Sequence, residues 1–149
     1  MIRPASADDL PVVIDMGQQF FAASGYADVA AFDADSFTAT VRHLMDGAGV
    51  CLVAEEDGRV VGMAGAMAYP FYFNMAHKTG QELFWWLNPA HRGGSLGAQL
   101  FDGLEEWARV QGCASFTMVA LDASRPQAVG AIYKRRGYRA SEHTFIRGL

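Results

Sequence analysis

The chain has 149 residues, 51% of them hydrophobic and 19% charged, with a formal net charge of -4. That composition excludes a disordered chain, and the length suits one domain, residues 1–149, with a sizeable core. The acidic balance and the lack of a long basic run argue against a nucleic-acid partner, since phosphate neutralisation supplies most of such affinity.

Ile2–Ala5 reads as a short extended start, and Ser6 as a helix N-cap with Asp8 and Asp9 in the favourable first turn. Leu10, Val13, Ile14 and Gly17 recur at helical spacing, Phe20-Phe21 extend that face, and Ser24-Gly25-Tyr26 breaks it. A second helix is predicted from Asp35 or Ser36, with Phe37, Val41, Leu44 and Met45 as its buried stripe. Val50–Glu55 and Arg59–Met67 are apolar runs on either side of Asp57-Gly58, which predicts a hairpin because the turn needs residues that tolerate positive φ. Tyr69–Asn74 is an aromatic loop or strand end. Gln81–Leu87 is a strand stopped by Asn88-Pro89.

A helix follows the glycine-rich turn, with Leu96, Leu100, Leu104 and Trp107 on one face and Gly112 as its C-cap. Ser115–Leu121 is a strand. A last helix runs from Arg125 or Pro126 to Arg136 and ends at Gly137, and Tyr138–Arg147 closes the sheet. The order β-α-α-β-β-β-α-β-α-β is that of an α/β domain with hairpins before a βαβ crossover.

The segment His91-Arg92-Gly93-Gly94-Ser95-Leu96-Gly97 joins the 81–87 strand to that helix. A diphosphate needs several backbone N–H groups aimed at one point, and a helix N-terminus supplies them with the positive end of its dipole. The three glycines remove steric cover, Arg92 adds a cation, and Ser95 can cap the helix or donate its hydroxyl. Neither G-x-x-x-x-G-K-[ST] nor G-x-G-x-x-G occurs, which disfavours a P-loop or a dinucleotide fold.

The run Leu87–Leu100 resembles the acetyl-CoA signature of the GNAT superfamily of N-acetyltransferases. Arg92, Gly93 and Gly97 match it, and Ser95 stands where the middle glycine is usual. Ala131–Tyr138 resembles the second hallmark, a tyrosine on the last helix followed by a Gly-aromatic step. The resemblance implies an α/β mixed sheet of about six to seven strands with four helices and splayed central parallel strands. It implies acetyl transfer from acetyl-CoA to a primary amine of a small molecule, amino acid or peptide, by direct attack in a ternary complex. A non-catalytic acyl-CoA sensor or interaction module of the same fold is the alternative.

By the same resemblance, the amides of Arg92, Gly93, Gly94, Ser95, Leu96, Gly97 and Ala98 hold the pyrophosphate. Trp85, Trp86 and Leu87 bond the pantetheine arm, and the Leu87 N–H polarises the thioester carbonyl. Tyr133 stands beside the leaving sulfur as general acid. Glu82 is the candidate base. In strict alternation it shares a face with Phe84 and Trp86, and apolar surroundings would raise its pKa. Pro126 occupies a position where the family often has asparagine. His91 is expected to flank the phosphates.

Tyr26, Phe32, Tyr69, Phe71, Tyr72 and Phe73 are expected to form an aromatic acceptor wall, and such a surface suits a homodimer interface equally well. Cys51 and Cys113 lack disulfide or metal spacing, and His43, His77, His91 and His143 form no ligand pair, so no metal is expected. The N-terminus lacks the pattern of a signal peptide and no apolar run approaches about 18 residues, so the expectation is a cytoplasmic protein without a membrane span.

Overall fold

A computed structural model describes all 149 residues. Five strands form one sheet in the order β1-β2-β3-β4-β5: β1 (Ile2–Pro4), β2 (Gly49–Glu56), β3 (Arg59–Phe71), β4 (Asn74–Leu87) and β5 (Cys113–Thr117). The first four pair antiparallel, and β4 pairs with β5 in parallel. Helices α1 (Leu10–Ser24), α2 (Ala34–His43), α3 (Leu96–Val110) and α4 (Pro126–Arg135) complete the fold. No helix is long and apolar enough to cross a membrane.

The entry into α1 differs from simple Ser6 capping. The Asp9 carboxylate accepts from the Ser6 backbone N–H at 2.7 Å, from its hydroxyl at 2.9 Å, and from the Arg3 guanidinium through both oxygens at 2.7 and 2.9 Å. A carboxylate so surrounded by donors is held well below the usual carboxylate range, with the Arg3 hydrogen bonds as the largest cause. Helix α2 starts one residue earlier than its periodicity predicts, because Asp33 caps the Ser36 N–H at 2.7 Å. Asp57 and Gly58 both have positive φ, as the predicted β2–β3 turn requires.

The sheet has five strands where six to seven are expected, and two causes account for it. β3 and β4 merge the aromatic stretch into one long hairpin whose turn is Tyr72-Phe73. Residues 138–149 form no strand: between Tyr138 and Phe145 they offer only Arg139-Ala140-Ser141-Glu142-His143-Thr144, with no large apolar side chain to anchor pairing on β5.

Successive β3 residues feed opposite cores. Met63 joins Val13, Met16, Val41, Leu44 and Phe84 on the α1/α2 side. Ala64 and Ala66 join Leu52, Leu87, Leu100 and Leu104 on the α3 side. α1 and α2 touch through Gly17, where an added Cβ would fall inside the Phe37 ring's contact radius. That ring cannot withdraw, since Phe32 and Phe84 stack on it at 5.7 and 5.4 Å. Gly17→Ala gains about 1 kcal/mol of helix propensity but overpacks by about 1–3 kcal/mol. We expect a lower urea midpoint, and a raised one would contradict this packing account.

Candidate active site

Strand β4 organises the site, and its bulge decides which way the key acid points. Phe84 lies opposite Gly65, while Glu82 lies opposite Ala66, with Leu83 as the extra residue. Gly65 and Ala66 are neighbours and face opposite sides, so Glu82 and Phe84 do too. The strict alternation expected from the sequence therefore fails here. Phe84 enters the α1/α2 core, and Glu82 takes the Ala66 side.

The parallel pairing of β4 with β5 ends at Gln81↔Thr117, although β4 continues to Leu87. The strands splay from that point and leave a cleft of about 240 Å³. Val119 bridges it. Its N–H donates to Glu82 Oε2 at 3.0 Å, and its C=O accepts from the Tyr133 hydroxyl at 2.7 Å. Glu82 is 4% exposed, and burial pushes its carboxyl up to about 7, with the Val119 N–H pulling the other way. Burial also raises the Tyr133 phenol, and Glu82 and Tyr138 add to the effect, so the hydroxyl keeps its proton throughout the neutral range.

At the end of β4 the chain makes a 3-10 turn, Pro89–His91, and Gly93 takes φ +91. Ser95 does not cap α3. Its Oγ instead accepts from Gln99 Nε2 at 2.8 Å, and the first turn of α3 holds no acid. The backbone amides of Gly93 through Ala98 have no acceptor within the turn, whereas the Arg92 amide, expected among them, is spent on Pro89 O at 3.3 Å. A Cβ at Gly93 or Gly94 would meet nothing within 4 Å, so the concavity is open. Unspent amides, an open concavity and the positive end of a 15-residue helix make an anion cradle.

A model of the acetyltransferase (GNAT) family matches residues 17–138. The chain belongs to the GNAT family of acetyltransferases. Comparison with curated proteins gives no match. Among solved structures, a transcriptional regulator from Bacillus halodurans superposes with a TM-score of 0.79 at 21% identity, covering 100% of this chain and 99% of that one. A predicted acetyltransferase with acetyl-CoA from Clostridium acetobutylicum gives 0.77 at 18% identity, covering 99% and 95%. A GCN5-related N-acetyltransferase from Ralstonia eutropha gives 0.76 at 23% identity, covering 99% and 97%. These three share the fold.

Membership in GNAT makes this an acyl-CoA-dependent acetyltransferase with acetyl-CoA as the donor, and the anion cradle fits the donor's pyrophosphate. The other expected site residues separate into groups. Trp85 lines the cleft, packs edge-on against Phe101 at 5.6 Å, and ties β4 to the turn by donating Nε1–H to Gly97 O at 3.1 Å. Trp86 takes the other face, against Phe20, with the Arg92 guanidinium over its ring at 4.5 Å. Arg92 Nε donates to Leu87 O at 2.8 Å, so part of this cation is spent in shaping the turn. His91 pairs with Glu56 at 2.6 Å.

The aromatic wall is dispersed. Tyr26 lines the cleft. Tyr69 donates its hydroxyl to Gln81 Oε1 at 2.8 Å, one side chain away from the cleft. Phe71 and Tyr72 sit with Phe73 at the tip of the β3–β4 hairpin, 38%, 71% and 77% exposed, and none of them lines the cleft. Phe32 is spent between Phe21 and Phe37. Sequence reasoning missed Phe20, Gln81, Leu83, Val119, Leu121, Ser124 and Val129, which do line it. The last four follow the end of β5, where no periodicity marks a binding surface.

Proposed function

We propose that the protein acetylates a primary amine by direct attack on acetyl-CoA in a ternary complex. The observation that carries this reading is the pair Glu82 and Tyr133, both buried and held on the two sides of the splay through Val119. The amine nitrogen forms a bond to the acetyl carbonyl carbon while Glu82 takes the amine proton. The Leu87 N–H stabilises the charge that develops on the carbonyl oxygen. The C–S bond breaks, and Tyr133 gives its proton to the departing thiolate. Rotation of the phenolic O–H away from Val119 O delivers that proton without moving the ring. Water then carries the proton from Glu82 back to the phenolate, and the pair is reset. Release of free coenzyme A thiol with a panel of amines tests the reading. Tight acetyl-CoA binding with no thiol release for any amine would refute it.

The cradle has its own test. Gly94 has open space around it and no positive φ, so Gly94→Val should leave the unfolding free energy from urea melts within about 0.5 kcal/mol of wild type. The added branch would cover the amides that meet the pyrophosphate, and acetyl-CoA affinity should fall by about tenfold or more. Unchanged affinity by calorimetry would remove the cradle from this role.

A further inference from the structure

We propose that the acceptor is a compact, apolar primary monoamine that carries no carboxylate, of the arylalkylamine or alkylamine kind. The inference rests on the reading above, in which the acceptor amine meets Glu82 in the splay cleft. Eight of the eleven residues that line this cleft are hydrophobic, and no lysine, arginine or histidine is among them. Glu82 is its one acid.

An amino-acid substrate would bring its α-carboxylate into these surroundings. It would find no cation there, and Glu82 would repel it. Burying an unpaired charge in apolar surroundings is among the costliest things a site can do. Helix α4 offers little help. Pro126 has no N–H, and the Ala128 and Val129 amides both donate to Arg125 O, leaving Gln127 alone in the first turn. Arg125 itself is exposed and does not line the cleft. The neutral donors present, the Gln81 amide and the Ser124 and Tyr26 hydroxyls, suit a phenol or ether oxygen but do not neutralise a carboxylate.

A polyamine or an aminoglycoside meets the opposite difficulty. Glu82 can serve one amino group, and any further ammonium enters apolar walls without a counter-charge. Asp122, the one acid of the 118–125 segment, is exposed and outside the lining. The cleft, about 240 Å³ and half open to solvent, also receives the acetyl end of the donor, so one ring or a short alkyl chain fills the part beside Glu82.

Matched probes decide the matter: 2-phenylethylamine, phenylalanine (the same body with a carboxylate), spermidine and kanamycin. Each is assayed for thiol release with acetyl-CoA, and for binding to the protein–coenzyme A complex by calorimetry. We expect 2-phenylethylamine to exceed the other three by about tenfold or more in both kcat/KM and affinity. Phenylalanine, spermidine or kanamycin within threefold of it would overturn the inference, as would absence of binding by 2-phenylethylamine. If 2-phenylethylamine binds selectively without thiol release, the acceptor class stands and the transfer reading fails. Leu121→Arg, which supplies the missing cation, should narrow the gap between phenylalanine and 2-phenylethylamine. If that variant does not fold, the wild-type binding series still gives the answer.

Discussion

Tyr133→Phe is expected to lower kcat by about 10²–10³-fold while changing acetyl-CoA affinity by less than about threefold. The ring is held by Trp85, Phe101 and Tyr138 at centroid distances of 6.3, 5.8 and 6.0 Å, and phenylalanine keeps all three contacts. The change thus removes one proton donor and little else. Val119 O loses its partner, but Val119 is 38% exposed and water can replace the hydroxyl, so the stability cost should stay near about 1 kcal/mol. Pre-steady-state thiol release, beside calorimetry for the donor, separates the two roles. A tyrosine that merely packs on the sheet predicts an unchanged kcat, and a variant within about fivefold of wild type would remove Tyr133 from the chemistry.

Glu82→Gln should lower the plateau of kcat at saturating amine by about 10²-fold and abolish its rise through neutral pH. The base acts in its ionised form. With the carboxyl pushed up to about 7, wild-type activity should climb through neutral pH and level off above it. Tyr133 adds no limb there, because its raised phenol keeps its proton. Glutamine is nearly isosteric and still accepts the Val119 N–H, so the pH profile reads the charge and not the shape.

The same carboxyl leaves a mark on stability, with a definite sign. Its folded pKa lies above the ordinary value of 4.5, so its neutral form is favoured by folding. That contribution is complete below 4.5 and is lost as pH rises through about 7. The amount is of the order of 3 kcal/mol for a group this buried. Wild type should therefore lose stability between pH 5 and pH 8, and Glu82→Gln should lose less. Parallel losses in urea melts of the two proteins would show that Glu82 is not the group responsible.

The contrast between Ser95 and Glu82 shows which features were legible in the sequence. The turn from His91 to Gly97 depends on residues close together in the chain: a strand end, a proline, glycines and an amphipathic helix. Its type and place were readable, and even the failed cap at Ser95 leaves the amides available. Glu82 was readable as a candidate by its position before that turn, but not by its facing. One extra residue at Leu83 inverts it, and that residue is defined only by pairing with Gly65 and Ala66 some 17 positions earlier.

By itself, the sequence carried the resemblance to the family over Leu87–Leu100 and Ala131–Tyr138, and through it the donor and the two candidate groups, because short motifs span only a few residues each. Only the tertiary structure decided where those groups meet. The end of β4–β5 pairing, the Val119 bridge and the cleft walls from Leu121, Ser124 and Val129 are contacts between distant segments. Burial brings the Glu82 carboxyl into the neutral range that the proposed base needs, and burial is a property of the assembled chain.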